Sequence, residues 1–80
     1  MPRYHFDLVD HHTVEDHGGQ ILADDTVAED VADELAAKIY DVRPEMRGKG
    51  FMILVTDAEG REVHRAPIDA FPNSPLAPLS

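Results

Sequence analysis

The sequence predicts an α+β fold: a two-layer sandwich in the order β-β-α-β-β, with two antiparallel hairpins and one amphipathic helix on one face of the sheet. Three observations point there. Residues 3–9 alternate between apolar and polar side chains. Residues 27–40 repeat apolar side chains at helical spacing. Residues 50–68 hold an apolar run, a tight-turn signature and a returning segment.

The first strand is the alternating stretch. Tyr4, Phe6 and Leu8 point to one side, and Arg3, His5, Asp7 and Val9 to the other, as in a half-buried strand. Residues 10–19 are polar and end in Gly18-Gly19, which reads as a loop or turn. Residues 20–23, Gln-Ile-Leu-Ala, suffice for a brief second strand pairing back on the first.

The helix has the clearest start. Thr26 followed by Glu29 matches a capping box, with Asp24 or Asp25 as alternative caps. Val27, Val31, Leu35 and Ile39 form an apolar stripe that Ala28, Ala32, Ala36 and Tyr40 widen. Acids in the first turns suit the positive end of the helix dipole, and Pro44 and Gly48 stop the helix.

Residues 50–56 are apolar on both faces, which places this strand centrally. Asp57-Ala58-Glu59-Gly60 forms the turn, and residues 61–68 return as its partner. Pro67 cannot donate to a ladder, so the returning strand ends there or lies at an edge. The domain is expected over residues 1–70. Residues 71–80 are proline-rich and read as a disordered or extended tail.

Composition limits the function. With 80 residues and no cysteine, the chain has a small core and no disulfide or thiolate metal site. The formal net charge is −9, and residues 1–34 carry all of it, with ten acids against one base. Such a field disfavours nucleic acid and anionic membranes and attracts basic protein surfaces. No stretch resembles a signal peptide or a membrane span, so a cytoplasmic location is expected.

The opening Met1-Pro2-Arg3-Tyr4-His5-Phe6-Asp7-Leu8 resembles the start of DUF6894, a family of small bacterial proteins met in alphaproteobacteria and described as a domain of unknown function. Asp16 and Gly19, Leu22 and Asp24, Ala28 and Ala32, then Val55-Thr56-Asp57 with Gly60-Arg61, follow the family pattern in order, over roughly residues 1–70. The resemblance implies no activity and no functional residue. His11, His12 and His17 lie outside it.

Candidate sites are few. His11, His12, His17 and Asp16 offer metal-ligand chemistry, but their spacing matches no established motif, and the plainer reading is a solvated loop. His5 and Asp7 share a strand face, and His64 is expected across from them, an arrangement that could seed a general base. No nucleophile is well placed, so no enzyme and no cofactor is expected. Arg43, Arg47 and Lys49 form a basic loop that either holds an anion or offsets the acidic helix. Pro72, Pro75 and Pro78 are spaced for a polyproline II ligand.

The uncovered sheet face carries more weight. One helix buries one face, leaving Val9, Met52, Leu54 and Ile68, with Ala66, as interface candidates. The leading expectation is a non-enzymatic interaction module, a homodimer or a binder of another protein. A histidine-rich metal-binding protein is the alternative, and an antitoxin-like small regulator is a third reading by fold analogy alone.

Overall fold

The computed structural model describes residues 2–69. Strand β1 (Arg3–Val9) and strand β2 (Val14–Ile21) form a hairpin. Helix α1 (Asp25–Val42) and a 3-10 turn (Pro44–Met46) follow, then β3 (Met52–Thr56) and β4 (Glu62–Pro67). The sheet is antiparallel in the order β2-β1-β3-β4, so the first strand of each hairpin is central and the returning strands are edges. This is the expected α+β layering, and Pro67 closes an edge strand.

The core lies between α1 and one sheet face. Tyr4, Phe6 and Leu8 from β1 meet Phe51, Ile53 and Val55 around β3, with Ala66 and Ile68 from the last segment. On the helix the fully covered side chains are Ala28, Ala32, Ala36 and Ile39. The deepest row is therefore the alanine row. Val31 and Leu35 are only partly buried beside it, and Val27 is exposed. Small side chains let the helix backbone approach the sheet closely, so the alanines mark the contact line and the larger residues flank it. Ala32→Leu should then destabilise more than Leu35→Ala. The first forces atoms into a closed contact, at about 1–3 kcal/mol. The second removes a side chain that is only partly buried, at about 1 kcal/mol. Urea midpoints of the two variants check the order.

Two sequence expectations are corrected. Residues 14–19 are not loop but most of an eight-residue strand, and the true turn is the short 10–13 segment. Asp10 organises that turn: its Oδ1 accepts from the His12 N–H at 2.8 Å and the Thr13 N–H at 2.7 Å. Gly18-Gly19 is not a turn either. It belongs to a β-bulge, where the register slips between His5↔Gly19 and Asp7↔Asp16. Gly18 takes φ +89° there, and the Asp16 carboxylate accepts its N–H. The second correction is Ile68. It is fully buried and Ala66 nearly so, because Ala66 pairs with Ile53 on the helix side, Ile68 follows in the same alternation, and the Ile68 N–H reaches the Phe51 carbonyl. Neither belongs to the open face.

Asp24 is the helix cap, its Oδ1 accepting from the Val27 N–H at 3.0 Å, so Thr26 falls inside the first turn. At the other end Arg47 donates to the Tyr40 and Asp41 carbonyls and lies 4.5 Å over the Tyr40 ring. The proline-rich tail lies outside the described residues.

Tyr4 ties the sheet to the helix start. Its hydroxyl donates to the Asp25 carboxylate at 2.7 Å, and that bond, with burial, pushes the phenol up to about 12 from its ordinary 10. The folded state holds the proton longer than the unfolded chain does. Tyr4 therefore adds stability that is complete below pH 10 and is lost as pH rises toward 12. Tyr4→Phe should flatten the fall in stability between those two pH values, read as melting temperatures of both proteins across the alkaline range.

Candidate functional site on the open face of the sheet

The face opposite the helix is built from alternate residues of all four strands, and the pairing register sorts them into rows. One row runs Val14–Val9–Met52–Pro67 and is apolar on every strand. The next runs Asp16–Asp7–Leu54–Arg65, acidic at one edge and basic at the other. A third runs Gly19–His5–Thr56–Glu62, and Ile21 pairs with Arg3 beyond it. Val14 is 71% exposed and Ile21 61%, while Val9, Met52 and Leu54 are partly shielded by their neighbours. Arg65 leans across this face, donating through Nη1 toward the Met52 sulfur at 3.5 Å and through Nε and Nη2 to Glu62.

Among the described residues, the remaining charged groups are largely engaged elsewhere. On the helix side of β2, Arg43 donates to Glu15 at 2.7 Å and to Glu45 at 3.3 Å, and the hydrogen bond to Glu15, with the guanidinium charge behind it, holds the Glu15 carboxyl below the usual carboxylate range. With Arg47 at the helix end, two of the three bases of the expected anion loop serve the fold.

The sequence-selected residues separate into groups. His11 and His12 sit on the exposed first turn, their rings 6.4 Å apart. His17 pairs with Glu15 at 3.0 Å on the helix side. Asp16, its neighbour, points to the open face, because residues 14–17 form a strand and successive side chains alternate. Asp16 meets His5 instead: the His5 Nε2 is 3.0 Å from Asp16 Oδ1 and 3.2 Å from Asp7 Oδ1. His64 is not across from His5. It pairs with Val55 on the helix side and lies 3.1 Å from Asp33 of α1. Of the interface candidates, Val9, Met52 and Leu54 share the open face. Val14 and Ile21 join them but carried no signal, since an edge strand that contributes nothing to the core shows no apolar alternation.

Two shallow clefts open nearby, of about 110 Å³ beside Val9, His11, Met52 and Arg65 and about 230 Å³ beside Arg3, His5 and Asp57. Both are below the roughly 300 Å³ at which small-molecule pockets begin. No helix among the described residues is long and apolar enough to cross a membrane.

Residues 3–69 match the family model described as "Domain of unknown function (DUF6894)", and the chain belongs to that family. No curated protein and no solved structure matches the chain.

Proposed function

Proceeding from a family whose name assigns no activity, we propose that this protein is a non-enzymatic interaction module whose open sheet face pairs with a second copy of itself. The observation that carries this is the self-complementarity of the rows. A twofold axis parallel to the strands, passing between β1 and β3, lays each row on its own reversed copy. Val14 then falls over Pro67 of the second copy and Val9 over its Met52, so the apolar row stacks on itself. In the adjacent row Asp16 falls over Arg65 and Asp7 over Leu54, which sets acid against base at both edges. The strands of the two sheets run near one another, as in an aligned sandwich.

Size and charge support the same arrangement. A domain this small has little core of its own, and association adds one. The acids of α1, including Glu29, Asp30, Asp33 and Glu34, lie on the layer away from the open face. They are therefore turned outward when two copies pair, which limits the repulsion between two chains of charge −9. Light scattering on the eluting protein tests the reading: the expected molar mass is twice the 8.9 kDa of one chain. A mass of one chain at all accessible concentrations rejects it.

A further inference from the structure

We propose that His5, Asp7 and Asp16 form a divalent-cation site within a single chain, taking a first-row ion such as zinc through His5 Nε2 and one oxygen of each carboxylate. The site needs no second copy, since all three ligands come from one chain. It also differs from the metal reading of the sequence, since among these three only Asp16 was a candidate there.

The donor set is mixed, one imidazole nitrogen and two carboxylate oxygens, which suits zinc, manganese or iron(II). The three donor atoms lie within 4.8 Å of one another. Nε2 stands 3.2 Å and 3.0 Å from the two oxygens. Adjacent ligand atoms around a tetrahedral zinc with bonds of about 2.0–2.1 Å are separated by about 3.3 Å, so small side-chain movements complete the geometry.

Three features of the sheet make this more than a cluster of surface charges. Asp7 and Asp16 are direct cross-strand partners on one face, a placement that costs stability for like charges unless a positive group lies between them. His5 places a single Nε2 against both oxygens, and one N–H can point well at only one of them. A cation bound to all three satisfies both carboxylates at once. Third, the bulge holds the ligands in place: Asp16 Oδ1 accepts the Gly18 N–H at 2.6 Å, which fixes its rotamer as an outer-sphere hydrogen bond does in established metal sites. Asp7 is the least exposed of the three, its side chain 19% accessible, which limits competing hydration. Arg3 flanks the group over Gly19. Its charge opposes a cation, so affinity falls below that of the same ligands without it.

The test is calorimetric titration of the full chain with zinc chloride, after treatment with chelator and dialysis. It is run at a dilution where light scattering gives the mass of one chain, so that Arg65 of a second copy does not compete for the carboxylates. The expected result is one saturable ion per chain. Asp16→Asn, which keeps the oxygen for Gly18, and His5→Gln should each weaken binding at least about tenfold. The combined His11→Gln, His12→Gln and His17→Gln variant should bind within about twofold of the unmodified chain. Circular dichroism confirms that each variant is folded. Manganese broadening of the backbone amide resonances, centred on residues 5, 7 and 16, locates the ion without any substitution. No saturable binding, unchanged affinity in Asp16→Asn and His5→Gln, or loss of binding in the loop-histidine variant would overturn the site.

Discussion

Phe6→Ala should remove a large share of the domain's stability. Phe6 is 1% exposed in a central strand, paired with Val55 and covered by the helix. Removing a buried phenylalanine ring costs about 3–5 kcal/mol, counting both the lost transfer free energy and the cavity left behind. A domain of this length holds a total stability of roughly 4–12 kcal/mol. The alanine row gives the helix little side-chain length with which to collapse into the gap, so the cost falls toward the upper end. At about 4–8 °C per kcal/mol for a domain this size, the melting temperature should drop by at least about 12 °C. A shift of a few degrees, followed by circular dichroism at fixed protein concentration, would mean that the helix repacks freely and that the close alanine contact is wrong.

Met52→Glu should have the opposite signature, a preserved fold and a changed assembly. Met52 lies in the middle of the apolar row, on the face away from the core, with Arg65 Nη1 3.5 Å from its sulfur. Within one chain, the new carboxylate meets that guanidinium and water. In the paired form it would be pressed against Val9 of the second copy, and it would be there twice per dimer. Stripping the water from that carboxylate against an apolar side chain, and drawing Arg65 away from Asp16 of the second copy, is costly enough that the dimer should weaken on the order of a hundredfold or more, at about 1.4 kcal/mol per factor of ten. Leu54→Glu is a less informative choice. It adds a third carboxylate in the row of Asp7 and Asp16, and so changes the cation cluster as well as the apolar surface. A Met52→Glu protein that is unfolded, or that keeps the mass of the unmodified chain, contradicts the assignment of this row to the interface.

What the sequence made legible, and what it hid, follows from where each side chain sits. Strands β1 and β3 are central and half or wholly buried, so their alternation and apolar content announce them: Tyr4, Phe6 and Leu8 lie under the helix as the alternation requires, and Ile53 and Val55 join them, a side that a run apolar on both faces leaves open. The helix was equally plain, yet its contact line was displaced by about one residue. The pattern draws attention to large residues such as Val27 and Leu35, whereas close packing on a sheet selects alanine. Strand β2 was largely hidden, because an edge strand of exposed and intermediate residues has no buried side to show, and Gly18-Gly19 reads as a turn when it is a bulge.

The candidate site was half legible for the same reason. His5 and Asp7 share a face by simple alternation. Bringing Asp16 to them required the register across the bulge, which no local pattern encodes. Ile68 was misplaced together with Ala66 because β4 was assigned to the wrong face: the register sets Ala66 against Ile53 and His64 against Val55 on the helix side, and Ile68 follows in the same alternation.

The reading of the open face as a contact between copies is tested most directly by the molar mass of the unmodified chain, measured by size-exclusion chromatography with light scattering over a dilution series in chelator. The arrangement of rows predicts twice the 8.9 kDa of one chain, falling to that value only on dilution. A mass of one chain throughout would contradict it and leave the face to a partner of another kind.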